Sequence, residues 1–216
     1  LDICAALDLR QLIFVGHSIS GVIGALASIR APERFERLIM IGSSARDLND
    51  PPAYVGGFER DEIVGMLDLM EKNYYGWANY MAPLAMQNAD RPDLARDLEQ
   101  SFRSLNPAIA REFARVTFLA DVRRELAQIT TPTLQIQSVE DLIVPAAAAE
   151  YLHQHLPANT QRQIQAIGHY PHVSHAAETI QLPNVILLCP HGEEKFVLAE
   201  VADTLGKALT NVHLAR

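Results

Sequence analysis

Ser18 stands in the run Gly16-His17-Ser18-Ile19-Ser20-Gly21, after the apolar segment 11–15 and before the segment 22–29. A strand, a sharp turn and a helix in that order present a serine hydroxyl on a strained elbow above a sheet. Small residues are needed there because the strand and helix backbones approach closely. The spacing departs from the common Gly-x-Ser-x-Gly pattern: Ser20 holds the place of the second glycine, and Gly21 follows one residue later. A serine hydroxyl is a weak nucleophile and needs a base, usually histidine, oriented by a carboxylate. On an elbow of this kind the chain order is Ser, acid, His, with acid and base on loops after strands. Glu140 and Asp141 follow a strand-like segment at 133–137, and His169 follows Gly168 after an alternating segment at 162–167. Order and placement both fit acyl transfer.

Two of the three positions are crowded. Glu140 and Asp141 are adjacent on a tight loop, point in different directions, and cannot both serve as the acid. His169, His172 and His175 follow one another closely. A metal site is set aside, because helical zinc ligands usually sit at i and i+4 and Pro171 is read as breaking a helix here. His169 is the best base, being first after the strand and beside a glycine that permits a tight turn. His172 and His175 read as loop polarity or hydrogen bonding, and His153 and His155 as solvated helix-end residues. The backbone N–H of Ile19 is one expected oxyanion donor. The second normally comes from a loop after an early strand, which would precede residue 1.

The elements that must position these groups alternate strand and helix, with one long interruption. The chain opens on a helical pattern (Leu1, Ile3, Cys4, Leu7, Leu9), and the segment 37–42 reads as a second buried parallel strand. From 51 to about 124 helical periodicity dominates, with breaks at 88–92 and at Asn106-Pro107, where Asn would cap a helix with Pro at its first position. Roughly four helices here make a natural lid over the site. Most of its aromatics, at helical spacing, belong to the lid core. Phe58, Trp77, Tyr80 and Phe113, with His17 beside the nucleophile and Leu142 and Ile143 after the acid, are the candidates to line an apolar pocket. The alternation resumes with the strand at 133–137, a helix at 146–155 and the strand at 162–167. The tail 183–216 carries a strand candidate at 184–188 and a helical pattern from about 193 to 209.

At 216 residues the chain is most simply one domain. A formal net charge of −8 argues against nucleic-acid or anionic-membrane partners. No stretch approaches the roughly 18 apolar residues of a membrane span. Cys4 and Cys189 are far apart, which fits a reducing cytoplasm better than a disulfide framework.

The run from Val15 to Ser20, with Gly24 and 27–29 after it, resembles the small α/β-hydrolases around bacterial RsbQ and the plant karrikin and strigolactone receptors. Leu48-Asn49-Asp50, Gly56-Gly57-Phe58-Glu59, Asn73-Tyr74 with Trp77, the segment 137–145 and Glu150-Tyr151-Leu152-His153 are similar to both groups. The segment 168–175 is most like the RsbQ branch. The resemblance covers about residues 1–182. It implies an α/β-hydrolase fold, here partial with the early strands missing, and a four-helix lid at about 51–124. It implies Ser18 as nucleophile, Asp141 rather than Glu140 as acid, and His169 as base. It also implies small hydrophobic esters or lactones as ligands, no metal or organic cofactor, and a signalling role with a protein partner, in stress signalling for the RsbQ branch. A receptor with slow or no turnover is the alternative it carries.

Overall fold

The computed structural model describes residues 1–180 of the chain. The apolar segments form one parallel four-stranded sheet in the order β1 (Leu12–His17), β2 (Phe35–Ile41), β3 (Thr133–Glu140) and β4 (Asn159–Ile167). Strand β2 shows why these runs are continuously apolar. Its pleat sends Leu38 and Met40 to one face and Ile39 and Ile41 to the other, and all four are buried. On the first face Leu38 and Met40 share a core with Val22, Ala25, Leu126 and Leu152. On the second, Ile39 and Ile41 pack with Val15, Ile136, Ile164 and Ala166.

The chain begins with a short helix, α1 (Asp2–Ala6), which leaves Ile3 and Leu7 exposed. Helix α2 (Ile19–Arg30) joins β1 to β2 and buries its small face, Gly21, Val22, Gly24, Ala25 and Ser28. A side chain at Gly24 would lie 2.3 Å from the Phe14 ring of β1, so glycine there permits the close strand–helix contact.

The interruption between β2 and β3 forms four helices: α3 (Arg60–Lys72), α4 (Tyr74–Met86), α5 (Pro92–Ser104) and α6 (Pro107–Leu119). Each start has a local reason. Glu59 and Glu62 form a reciprocal capping box for α3. Asn73 caps α4 by accepting from Gly76 N at 2.9 Å. Asn106 accepts from Ala108 N and Ile109 N, with Pro107 at the first helical position, as the dipeptide predicts. The four helices share a core built on Met70, Trp77, Met81, Leu98 and Phe102. The two ends of this insertion are tied together: Val122 N donates to Ala45 O at 3.0 Å, and Arg123 reaches Asp50 at 2.9 Å and Asp121 at 2.7 Å.

Helix α7 (Ala146–His155) follows β3 over the expected residues. It is pinned to the sheet by Gln135, fully buried, whose Nε2 donates to Ala149 O at 2.9 Å. Two differences from the sequence expectations bear on the site. Strand β3 runs to Glu140 rather than stopping at 137, because its pairing with β4 continues past a register shift to Ile167. Pro171 does not break a helix but starts one. It is the first residue of α8 (Pro171–Ser174), where its missing N–H costs nothing, and α9 (Ala176–Ile180) follows. The strand and helix expected in 183–216 lie outside the described residues.

Candidate active site

Ser18 sits between β1 and α2 with φ +54°, a region that non-glycine residues rarely occupy and that costs about 1–3 kcal/mol. The turn is held from three sides. Ser18 N donates to Ile41 O at 2.8 Å, and Ser18 O accepts from Gly21 N at 3.1 Å and from Ser43 Oγ at 2.7 Å. A Cβ on Gly16 would lie 2.3 Å from Gly21 N, and one on Gly21 would lie 2.4 Å from Ser43 Oγ. The close approach therefore falls at position 21, which is why Ser20 can replace the usual glycine. Ile19 is the first residue of α2, so its N–H has no intrahelical acceptor and stands at the positive end of the helix dipole.

His169 follows β4 through Gly168, whose φ of +96° turns the chain. Its Nδ1 donates to Asp141 Oδ2 at 2.8 Å, and the two side chains are only 5% and 1% exposed. Asp141 Oδ1 accepts from Ile143 N at 2.8 Å and Val144 N at 3.0 Å. Burial alone would raise the Asp141 carboxyl. The charge and hydrogen bond of His169, with the two backbone N–H groups, outweigh it and hold the carboxyl below its ordinary value. Glu140 is the exposed last residue of β3, and its carbonyl, not its carboxylate, engages the His169 loop by accepting from Gly168 N at 2.8 Å. With Nδ1 engaged, Nε2 is the ring nitrogen left to move a proton.

The elbow and the His169 loop are in contact. His17 Nε2 donates to His169 O at 2.7 Å, and a Cβ on Gly42, just past β2, would be 3.3 Å from the His169 ring. His172 differs from its expected place among loop polar groups. It is buried, its ring lies 4.6 Å from that of His17, and its Nδ1 has no hydrogen-bond partner. Desolvation, then the charge of His169, lowers its pKa to about 4. His175 shares a hydrogen bond with Ser174 Oγ at 2.9 Å. His153 accepts from Asn159 Nδ2, and His155 stacks on Tyr151 with its Nδ1 donating to Tyr151 O.

Beside Ser18 lies a small cleft that opens to solvent. Ser18, Ile19 and Val22 form one wall, Asp47 stands on the loop after β2, and Thr117 and Ala120 come from the end of the insertion. The aromatics expected around such a cleft stand elsewhere among the described residues. Trp77 packs between Tyr74 and Phe102 in the lid core, and Phe58 meets Phe118 edge-on at 5.7 Å. Ile143 is buried in that same core, while Tyr80, Phe113 and Leu142 are exposed. Of the residues proposed for substrate contact, His17 is hydrogen-bonded to the His169 loop. Asp47 and Thr117 carried no signal in the sequence, since one sits in a polar loop and the other on a helix among apolar neighbours.

A family model described as alpha/beta hydrolase fold matches residues 1–176. The chain is 41% identical over 182 residues to strigolactone esterase D14 of Arabidopsis thaliana, covering 84% of this chain and 67% of that one. It is 35% identical over 178 residues to the karrikin insensitive 2 receptor CA of Petunia hybrida, covering 80% and 65%. Among solved structures, the hydrolase olei00960 from Oleispira antarctica superposes with a TM-score of 0.79 at 40% identity, over 82% of this chain and 64% of that one. The chain thus spans about two thirds of the length of the relatives it matches.

Proposed function

The chain belongs to the alpha/beta hydrolase fold family, and from that premise we propose that the protein is a serine hydrolase of small esters or lactones. The observation that carries the proposal is the buried His169–Asp141 pair at 2.8 Å, with the His169 carbonyl bonded to the residue before a strained serine. Ser18 Oγ attacks the substrate carbonyl carbon and passes its proton to His169 Nε2. The oxyanion gathers charge at the Ile19 N–H, at the start of α2. Asp141 holds the imidazole in the tautomer with Nδ1 protonated and stabilises the imidazolium. His169 then gives the proton to the departing alkoxide, leaving an acyl-serine. A water, deprotonated by His169, releases the acid and restores Ser18.

The test is hydrolysis of 4-nitrophenyl acetate followed by rapid mixing. The proposal requires that Ser18→Ala and His169→Ala each abolish nitrophenolate release above the buffer rate. Unchanged release in Ser18→Ala sinks it.

A second reading, favoured by the likeness to a protein named karrikin insensitive 2 receptor CA, is a small-molecule receptor that signals through a protein partner and turns over slowly. The same experiment separates the two. Steady release after the first turnover supports the enzyme, whereas one stoichiometric burst followed by a flat trace supports the receptor.

A further inference from the structure

The cleft beside Ser18 is not uniformly apolar. Ile19, Val22, Ala45 and Ala120 supply its hydrocarbon, but Ser44, Arg46 and Asp47 from the loop after β2 and Thr117 from α6 stand in its wall with Ser18. Arg46 is engaged by Asp50 and Asp121, and Ser44 by Asp47, which leaves Asp47 and Thr117 to face a ligand. Asp47 accepts a hydrogen bond on Oδ1 from Ser44 Oγ at 2.7 Å, which fixes the carboxyl plane, and Oδ2 has no hydrogen-bond partner among the described residues. Thr117, on the last turn of α6, has a buried Oγ1 with no hydrogen-bond partner. An unpaired buried hydroxyl is costly to keep, and a ligand group that pairs it while also engaging the carboxylate oxygen left free by Ser44 relieves that cost.

A hydroxyl group is the partner that suits both. It donates to a carboxylate, or accepts from a carboxylic acid, and it can donate to or accept from the threonine hydroxyl. The match therefore holds in either protonation state of Asp47, whose carboxyl burial pushes up against the opposing pull of the Ser44 hydrogen bond and the His169 charge. An ammonium group would serve the ionised carboxylate alone, and a second carbonyl would leave the carboxylate facing another acceptor.

We propose that Asp47 and Thr117 form a hydroxyl-binding subsite beside Ser18, so that the protein selects hydroxylated esters or lactones over their plain alkyl counterparts. This deepens the hydrolase reading and rests on it for the word substrate, but the binding preference can be measured without turnover.

The full chain carrying Ser18→Ala, which cannot form an acyl-serine, is titrated calorimetrically with ethyl butyrate and with ethyl 2- and 3-hydroxybutyrate. At least one hydroxylated ester should bind about tenfold more tightly than ethyl butyrate, the preference expected when a ligand pairs buried polar groups. Adding Thr117→Val, which keeps shape and removes the hydroxyl, should cut that preference about fivefold. Adding Asp47→Leu should abolish it; if that variant fails to fold, Thr117→Val alone still decides. Equal affinities for all three esters, a preference untouched by the substitutions, or no saturable binding would each overturn the proposal. If the hydroxyl preference holds but the protein with Ser18 intact releases no acid, the hydrolase reading fails while the subsite stands.

Discussion

Acid should unfold this protein through His172. Its imidazole is buried against His17, with the Tyr170 ring and the His169 charge nearby, and its Nδ1 has no partner to stabilise a proton. Its folded pKa is lowered to about 4, while an unfolded histidine titrates near 6.5. Between those values the unfolded chain binds the proton and the folded chain does not. Stability is therefore undiminished above pH 6.5 and falls as pH drops toward 4. One pKa unit is worth about 1.4 kcal/mol, so the full loss is about 3 kcal/mol, most of it incurred by pH 4.5. The other shifted carboxyls near the site do not imitate this trend. Asp47, with a raised pKa, favours the folded state as pH falls, and Asp141, with a lowered one, withdraws stability only below the ordinary aspartate value. His172→Phe keeps a ring against His17 and removes the titration. Urea unfolding of both proteins at pH 7, 6, 5 and 4.5 isolates the histidine, because every other group is common to both. The wild type should lose about 2 kcal/mol more than the variant between pH 7 and pH 4.5. Parallel stability curves would refute the buried, neutral His172.

Replacing Asp141 by Asn should lower ester hydrolysis by about 10⁴, the cost of a wrongly protonated histidine in a comparable triad, while Glu140→Gln should change it little; steady-state rates of both variants check this, and the reverse ranking would move the acid to Glu140. Gly168→Ala should cost at least about 1–3 kcal/mol in urea unfolding, because φ is +96° and the new Cβ would lie 2.2 Å from Met86 O. A variant as stable as the wild type would mean that the turn before His169 is not held by that contact.

Much of this arrangement was legible because local chemistry and global position agree. Apolar runs such as Phe35–Ile41 have partners on both faces of the sheet, so the strands read as strands. Asn106-Pro107 is a helix start whatever surrounds it, and α7 matched its expected bounds because alanine-rich sequence begins directly after Pro145. What escaped depends on tertiary neighbours. The end of β3 is set by its pairing with Ile167, which no periodicity within 133–140 reveals. Pro171 read as a breaker because a proline at the first helical position looks the same in sequence as one that stops a helix. His172 read as a loop residue because nothing in its own segment announces His17, which comes from β1. The lid aromatics occupy helical faces that pack on one another or stay exposed, and periodicity cannot say which face turns toward Ser18. Asp47 and Thr117 meet at one cleft only because residues 45 and 122 tie the two ends of the insertion together.

The central claim is that Ser18 is a nucleophile activated by His169. Treating the full chain with a fluorophosphonate and mapping the adduct by peptide mass spectrometry tests it most directly. The adduct should fall on Ser18, disappear in Ser18→Ala, and form far more slowly in His169→Ala. Labelling of Ser18→Ala at the wild-type rate, or an adduct mapped to another serine, would contradict it.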